Sequence, residues 1–346
     1  MKILLTGGGT AGHVMPHIAL LKDFKNHFDE IIYIGSKTGI EKSIIEENKI
    51  KYFPITTTKF VRKKIFKNLP IPFKLAKGLH EAKQIIKTEK PDVLFSKGGF
   101  VSLPVVLACH SLKIPIVIHE SDLSMGLANK IASKYANKVC TTFKETSNNL
   151  KQKSIHTGSP MREDNSTFTH NFPNKKPIIT IIGGSSGAVA LNNAVVMALP
   201  KLSEKYNIIH IVGKNNKTNI NNNSYMQIEF TNSIISIFKQ SHIVISRAGS
   251  NTIFELLNLQ IPMILVPLPK GNSRGDQEEN AKYFEKYGLA TILPQNQLNT
   301  KTLLESIETT EKNIDVLKQN MQKHKTQNSN TLVLNTILNE IAQKKF

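Results

Sequence analysis

Two glycine-rich turns carry residue types that bind anions and move protons. Residues 7–12 read GGGTAG and are followed at once by His13, and residues 183–187 read GGSSG. Each turn follows a short apolar run and precedes an amphipathic stretch, which predicts a strand, a tight turn and a helix. Backbone N–H groups at such a helix start attract phosphate, and histidine titrates near neutral pH. The turns therefore predict anion-binding sites with His13 as a candidate base, unless they only connect strand to helix.

Single residues exclude several better-known motifs. The first turn has G-x-G-x-x-G spacing, but the next predicted strand, residues 30–34, runs into Gly-Ser-Lys instead of the acid that holds a nicotinamide ribose. A P-loop would need lysine and a hydroxyl residue where His13 and Val14 stand. His119-Glu120 lacks the second histidine of a zinc-protease helix, and no Asp-x-Asp pair occurs to hold a metal on a diphosphate. We therefore expect neither a cofactor nor a metal.

The elements around the turns alternate short β-branched runs with amphipathic stretches. This alternation restarts after a polar stretch near residue 176 and ends in helical patterns over Thr302–Lys323 and Thr331–Phe346. It is typical of parallel sheets covered by helices, whose ligands bind at the carboxyl ends of the strands. We predict an α/β chain of two doubly wound Rossmann-like domains with a cleft between them. The expected division is 1–160, 161–330 and a C-terminal helix, 331–346, that packs back on the first domain.

The charge of the chain predicts an anionic partner. Its 346 residues carry a net charge of +19, and between Lys59 and Lys90 ten basic residues stand against two acids. Bulky apolar residues are mixed among them, a composition in which cations meet anionic headgroups while apolar side chains enter the membrane interface. We predict that the segment Phe60–Lys77 docks on an anionic membrane surface, with a solvated basic face as the alternative. Because no apolar run reaches the roughly 18 residues of a membrane span, we expect a peripheral protein on the cytoplasmic face.

Nucleic acid is the other partner that the charge alone suggests. The chain has no zinc-finger spacing, no aromatic RNP motif and no tryptophan for base stacking. We therefore expect no nucleic-acid partner.

Six segments in a fixed order carry a resemblance to one family. They are GGGTAGHVMP (7–16), SKGGFVSLPVV (96–106), HESDLSMGLANK (119–130), GGSSG (183–187), SRAGSNTIFEL (246–256) and GDQEENA (275–281). The set resembles the family 28 glycosyltransferases of peptidoglycan synthesis, which transfer N-acetylglucosamine from UDP-N-acetylglucosamine to the 4-hydroxyl of the N-acetylmuramyl group of lipid I, giving lipid II. The resemblance implies the glycosyltransferase B fold and metal-independent transfer with inversion.

The resemblance also implies roles for residues of the first domain. By motif position, Thr10, Ala11 and Gly12 face the donor sugar and the acceptor. Asn129 and Arg162 match positions that contact the donor.

In the second domain the resemblance implies the rest of the donor site. Ser185 stands where the second glycine turn meets the diphosphate. Ser250 opens the uridine segment, in which Glu255 binds the ribose hydroxyls, and Gln277 contacts the N-acetylglucosamine.

Two residues are candidates for the base that an inverting transfer requires. His13 follows the first glycine turn, and Glu120 ends a predicted strand, where it could instead organise the following loop. Ser121 and Asp122 stand where many relatives have Gln-Asn, so the resemblance implies no role for them.

Three other functions remain open at this point. A 2-epimerase or a glycolipid synthase of the same architecture would need similar loops for a UDP-sugar. A nicotinamide-dependent oxidoreductase fits the fold, but the missing acid after the second strand argues against it.

Overall fold

The computed structural model divides the chain into two compact units. Unit 1 comprises residues 1–162 and 326–346, and unit 2 comprises residues 163–325. The structure describes residues 1–59, 70–150, 153–162, 167–184, 187–271 and 273–344. Most of the predicted membrane-docking segment, residues 60–69, therefore lies outside the described residues, as does Ser185.

Unit 1 contains a seven-stranded parallel sheet with the order β3-β2-β1-β4-β5-β6-β7. The strands are β1 (Lys2–Thr6), β2 (Glu30–Ser36), β3 (Lys51–Ile55), β4 (Val93–Ser96), β5 (Ile116–Glu120), β6 (Lys138–Thr141) and β7 (Ser154–His156). The helices are α1 (Met15–Ala19), α2 (Leu21–His27), α3 (Ile40–Glu47), α4 (Ile71–Glu89), α5 (Ser102–Ser111), α6 (Leu127–Ala132) and α7 (Lys144–Leu150), with a 3-10 turn at Ala11–His13.

Unit 2 contains a six-stranded parallel sheet with the order β10-β9-β8-β11-β12-β13. The strands are β8 (Ile178–Ile182), β9 (Asn207–Ile211), β10 (Tyr225–Ile228), β11 (Ile243–Ser246), β12 (Met263–Leu265) and β13 (Thr291–Ile292). The helices are α8 (Val189–Lys205), α9 (Ile234–Gln240), α10 (Ser250–Leu259), α11 (Asp276–Lys286), α12 (Thr300–Lys312) and α13 (Ile314–His324), with a 3-10 turn at Gln295–Gln297.

The strand order identifies the position in each sheet at which a doubly wound fold binds its ligand. In both sheets the chain moves outward in one direction, returns across the first strand and continues in the other, which is the doubly wound order. The predicted α/β class with two Rossmann-like sheets is confirmed. The order reverses between β1 and β4 and between β8 and β11, and the two glycine turns directly follow β1 and β8. Each turn thus lies at the switch point where ligands of this architecture bind.

The last helix belongs to unit 1. Helix α14 (Ser329–Lys344) buries Val333, Leu334 and Ile337 in the same apolar cluster as Ile3 of β1. Burying apolar side chains of this size stabilises the unit by roughly 1.5–3 kcal/mol each. The final helix therefore completes one face of the first sheet.

The helical pattern near the end of unit 2 is divided into two helices. The helical pattern over Thr302–Lys323 is divided between α12, which ends at Lys312, and α13, which begins at Ile314, and the Asn313 side-chain amide between them donates to the Thr309 carbonyl at 2.8 Å. An asparagine that bonds the preceding turn competes with the hydrogen bonds of the helix backbone and favours a break in the helix.

Across the described ranges of the chain, the structure shows no helix long and apolar enough to cross a membrane.

Candidate active site

Unit 1 has a second glycine turn, Gly98-Gly99 after β4, and its backbone contacts the turn after β1 at the switch point. The turn after β1 and the turn after β4 meet where Gly8 N–H donates to the Gly98 carbonyl at 3.3 Å. A Cβ atom on Gly99 would lie 2.2 Å from the Gly8 oxygen, and one on Gly9 would lie 2.5 Å from the Phe100 ring. Gly9, Gly98 and Gly99 also have φ between 82° and 87°, which other residues rarely adopt. Glycine is therefore required here for geometry, whatever ligand binds.

A buried carboxylate that sequence reasoning missed holds the first turn in place. Glu41 of α3 has no exposed surface, and its Oε2 accepts the Gly9 N–H at 3.2 Å. Its Oε1 accepts the Ser36 N–H at 3.1 Å and also the Ser36 hydroxyl. A Cβ on Gly8 or Gly39 would come within 3 Å of this carboxylate, so both glycines make room for it. The available signal was an acid in the first turn of the helix after the second strand.

His13 and Thr10 form a side-chain pair on the outer part of this turn. Thr10 Oγ1 lies 3.0 Å from His13 Nδ1, and the backbone between them forms the 3-10 turn in which His13 N–H donates to the Thr10 carbonyl at 3.1 Å. Thr10 and Gly12 are exposed, whereas Ala11 and His13 are partly buried. The predicted base and the predicted substrate-facing turn therefore lie together at the surface of unit 1.

Glu120 organises the loop that follows β5. It is 4% exposed, and its Oε1 accepts the N–H groups of Ser121 at 2.9 Å and Asp122 at 3.1 Å. Its Oε2 accepts the Gly126 N–H at 3.1 Å and the Asn129 side-chain amide at 3.0 Å. Four N–H donors stabilise the carboxylate of Glu120, and these four hydrogen bonds fix the conformation of the loop.

Asn129 joins this loop to the second glycine turn of unit 1. Its amide nitrogen donates to the His119 carbonyl at 3.1 Å as well as to Glu120, and its Oδ1 is buried without a hydrogen-bond partner. A Cβ on Gly98 would lie 2.5 Å from that Oδ1. The structure thus brings Asn129, Glu120 and the glycine turns together.

Arg162 is the last residue of the first of the two chain segments that form unit 1, and it is partly buried. The residue before it, Met161, donates its N–H to Asn330 Oδ1 at 2.8 Å and accepts from the Asn330 amide at 3.1 Å. Because Asn330 belongs to α14, the final helix fixes the backbone from which Arg162 projects.

The glycine turn of unit 2, which follows β8, also has glycines with positive φ and with close backbone neighbours. Gly184 and Gly187 have φ of 90° and 74°, and a Cβ on Gly187 would lie 2.4 Å from the Val212 carbonyl oxygen. Helix α8 begins two residues later, at Val189, so its first N–H groups lie beside the turn. The role predicted for Ser185 stays a prediction.

Ser250 and Glu255 both lie on α10, which follows β11. Ser250 is its first residue, and both side chains are about 5% exposed or less. Gly249, just before the helix, has an ordinary φ of −74°, and a Cβ there would meet no described atom within 4 Å. This glycine therefore has no steric reason within the described chain, and the space beside it adjoins the helix start.

The Arg247 side chain stabilises the loop that precedes α10. Its guanidinium donates to the Val266 carbonyl at 3.0 Å and to Gln295 Oε1 at 2.6 Å. Burial lowers the pKa of Arg247 from its ordinary value. Its hydrogen bonds hold the carboxyl ends of the strands together.

Gln277 lies at the start of α11, near the end of β12. Its Oε1 accepts the Leu268 N–H at 3.0 Å, which fixes the amide orientation and directs the donor nitrogen to the other side. Asn280, one turn later, donates to the Ala248 carbonyl at 3.3 Å and ties α11 to the loop before α10. Ser250, Glu255 and Gln277 thus lie on two helices that are joined by this contact.

Comparison with known proteins places both units in one family. Residues 3–141 match the Glycosyltransferase family 28 N-terminal domain and residues 178–335 match the Glycosyltransferase family 28 C-terminal domain. A relative from Clostridium botulinum (strain Langeland), named UDP-N-acetylglucosamine–N-acetylmuramyl-(pentapeptide) pyrophosphoryl-undecaprenol N-acetylglucosamine transferase, is 46% identical over 338 residues, covering 94% of this chain and 96% of its own. A relative of the same name from Lachnospira eligens is 44% identical and covers 97% and 98%.

A solved structure gives the same result in three dimensions. The crystal structure of Acinetobacter baumannii MurG matches with a TM-score of 0.77 and 26% identity, covering 98% of this chain and 99% of that one. The similarity thus extends over both sheets and over the segments that carry the candidate site. The chain belongs to glycosyltransferase family 28.

Proposed function

We propose that the chain transfers N-acetylglucosamine from UDP-N-acetylglucosamine to the N-acetylmuramyl-(pentapeptide) group of a pyrophosphoryl-undecaprenol acceptor. The observation that carries the proposal is the identity of 46% over 94% of the chain with a relative that bears the name of this transferase. The candidate residues in both units fit the requirements of such a reaction, namely a diphosphate site, a sugar-binding amide and a base.

The donor half of the reaction falls to unit 2. The N-termini of α8 and α10 follow the two strands at the switch point, and such helix starts bind phosphate through free N–H groups and the helix dipole. The open space beside Gly249 allows a ligand to approach the α10 backbone closely. Glu255 is suited to binding ribose hydroxyls, and Gln277 presents its amide N–H groups to the sugar.

The acceptor half falls to unit 1, where His13 is the preferred base. In an inverting transfer the acceptor hydroxyl loses its proton as it attacks the anomeric carbon. If His13 Nδ1–H donates to Thr10 Oγ1, the lone pair lies on Nε2, which is the form that a base needs. Glu120 is the alternative base, but its carboxylate already accepts four N–H groups. We therefore assign Glu120 and Asn129 to positioning the loop.

The membrane-bound acceptor calls for a peripheral contact with an anionic inner leaflet. In the first turns of α4, Phe73 is 81% exposed and Lys74 and Lys77 are exposed beside it. The fully buried residues of this helix begin at Gly78, where a Cβ would lie 2.2 Å from the Thr56 carbonyl oxygen. An exposed phenylalanine flanked by lysines is the composition of an interfacial anchor.

A transfer assay tests the proposal directly. Radiolabelled UDP-N-acetylglucosamine and a short-chain lipid I analogue should give a labelled disaccharide product, in excess EDTA as well as without it. Loss of activity in EDTA that magnesium restores would refute metal independence. Conversion of the UDP-sugar without any acceptor would favour an epimerase and refute the proposed transfer.

Variants of the donor site sharpen the test. Gln277→Ala should weaken UDP-N-acetylglucosamine by roughly tenfold while leaving UDP nearly unchanged, since its amide is assigned to the sugar. Glu255→Ala should weaken both ligands, because both contain the ribose. Equal losses of the two ligands in Gln277→Ala would remove Gln277 from the sugar site.

A further inference from the structure

A lysine lies buried beneath the glycine turns of unit 1. Lys97 follows β4, is 2% exposed, and places its Nζ 2.5 Å from His119 Nδ1 and 2.7 Å from Ser121 Oγ. A Cβ on Gly7 would lie 3.3 Å from Lys97 Cβ, so the aliphatic stem runs directly under the first turn. Lysine is rarely buried to this degree unless its nitrogen is paired with acceptors.

The protonation state of His119 defines the direction of these bonds. Its Nε2 lies 3.0 Å from the Gly158 carbonyl oxygen, which can only accept, so Nε2 carries the hydrogen. Its Nδ1 is then an acceptor, and Lys97 donates to it. Burial is the main cause that lowers the pKa of His119 well below its ordinary value, and the charge of Lys97 adds to this, so the imidazole is neutral. Lys97 therefore donates to two neutral acceptors, one on β5 and one on the loop that follows.

We propose that Lys97 is a positioning residue for the transfer reaction, which clamps the loop of residues 121–126 and thereby Glu120 and Asn129. The proposal rests on the proposed function for the reaction that it serves. Within the loop, the Glu120 carboxylate accepts the N–H groups of Ser121 and Gly126, and Thr146 Oγ1 of α7 donates to the Leu123 carbonyl at 2.6 Å. Lys97 adds a tie between Ser121 and the end of strand β4, next to the turn that contains Gly98 and Gly99. Ser121, to which the family resemblance gives no role, is the loop's acceptor for this clamp.

The clamp is sensitive to pH because of where the ammonium lies. Burial lowers the pKa of Lys97 from 10.5 to about 7, while nearby acidic groups oppose the shift. The titratable groups that face it are His17 on α1, His119 and Glu120 on β5, Asp122 on the loop and Cys140 on β6. Loss of the proton converts two charge-assisted hydrogen bonds into ordinary ones, which are about half as strong. The clamp therefore loosens as the pH rises above about 7.

As the pH rises, the folded state of unit 1 should become more stable while the clamp loosens. Between pH of about 7 and 10.5 the unfolded chain holds the proton of Lys97 more tightly than the folded chain does. Because stability rises with pH wherever the unfolded state binds more protons, Lys97 makes unit 1 more stable toward pH 10.5. A residue with a merely structural role would lower activity and stability together.

The variant Lys97→Met separates these effects. Methionine keeps the length of the side chain and removes the donors, so we expect kcat/KM for the lipid I analogue to fall roughly tenfold or more. The fall of kcat/KM in the parent above pH of about 7 should be absent from the variant, and so should the rise in melting temperature between pH 7 and 10.5. Hydrogen exchange at the amides of residues 121–126 should be faster in the variant at pH 7, and UDP affinity should be unchanged.

Ser121→Ala is the matched variant, because it keeps the lysine and removes one acceptor. If Lys97 acts through this contact, the double variant should lose less activity than the two single losses combined. Should Lys97→Met fail to fold, the exchange rates and pH profile of Ser121→Ala carry the test.

The result that overturns the proposal is parental hydrogen exchange over residues 121–126 together with an unchanged pH profile. If the parent enzyme transfers no sugar, the proposed function fails, but hydrogen exchange still decides whether Lys97 clamps the loop.

Discussion

Replacing Glu41 by glutamine tests whether its buried carboxylate holds the glycine turn that carries the proposed base. The substitution Glu41→Gln keeps the shape of the side chain and exchanges one acceptor oxygen for an NH₂ donor. In the parent, one carboxylate oxygen serves Ser36 and the other accepts the Gly9 N–H at 3.2 Å. If the amide oxygen stays with Ser36, the new NH₂ group faces the Gly9 N–H, and two donors oppose each other.

The cost follows from the contacts and burial of Glu41. Glu41 has no exposed surface, so water cannot replace the lost acceptor. Losing one charge-assisted hydrogen bond in such a site costs about 1.5–3 kcal/mol. For a unit of this size that corresponds to a fall in melting temperature of roughly 3–12 °C. The same change lets the turn move away from Ser36, and with it Thr10 and His13.

Steady-state kinetics and thermal unfolding check this expectation together. At a temperature where Glu41→Gln is fully folded, kcat should fall roughly tenfold or more while UDP binding is unchanged, since UDP is assigned to unit 2. Glu47→Gln is the matched control, because Glu47 lies on the same helix α3 and is exposed. If Glu41→Gln matches this control in both melting temperature and kcat, the reasoning about the buried carboxylate is wrong.

Three further predictions concern the base, the donor site and the membrane contact. His13→Ala should lower kcat by about a hundredfold or more with UDP binding intact, and Thr10→Val should lower kcat by several-fold while Thr10→Ser does not; unchanged turnover in His13→Ala would exclude it as the base. Gly249→Ala should change the free energy of unfolding by less than about 0.5 kcal/mol yet weaken UDP-N-acetylglucosamine roughly tenfold in calorimetry, whereas Gly187→Ala, whose Cβ would meet a backbone carbonyl at 2.4 Å, should lower stability. Phe73→Ser should reduce sedimentation with phosphatidylglycerol vesicles and make the remainder salt-sensitive, while transfer to a water-soluble acceptor stays constant; parental sedimentation at high salt would remove Phe73 from the contact.

The fold could be predicted because its signal is local. Strand β1 reads KILLT and strand β8 reads IITII, and each is followed by glycines and an amphipathic helix. Such βαβ runs allow few topologies, since their crossovers are right-handed and short. The break at Asn313 could not be predicted from apolar periodicity, because the pattern of buried residues continues through it into α13.

The candidate site could be predicted only in part, since some of its determinants approach through space. The glycine turn and His13 are contiguous, so their spacing alone indicates a site. Glu41 reaches Gly9 from helix α3, 32 residues along the chain, and an acid in the first turn of that helix does not by itself identify Gly9 as the partner. For Glu120 the sequence shows a carboxylate at a strand end, but only the structure shows the four N–H groups that it accepts. The residue type was readable, whereas its hydrogen-bond environment was not.

Ser121 illustrates why a departure from a family pattern needs its structural neighbour to be interpreted. In the sequence it is a short hydroxyl residue in a segment where a longer amide is common, which gives no reason to expect a role. In the structure its Oγ lies 2.7 Å from Lys97 Nζ, and Lys97 belongs to a different segment, 24 residues earlier. Because Lys97 is buried, its nitrogen needs acceptors within reach, and His119 supplies only one of them. A lysine at 97 and a hydroxyl at 121 are therefore one arrangement made by two segments, and substituting Ser121 should leave the buried Lys97 nitrogen with one acceptor fewer.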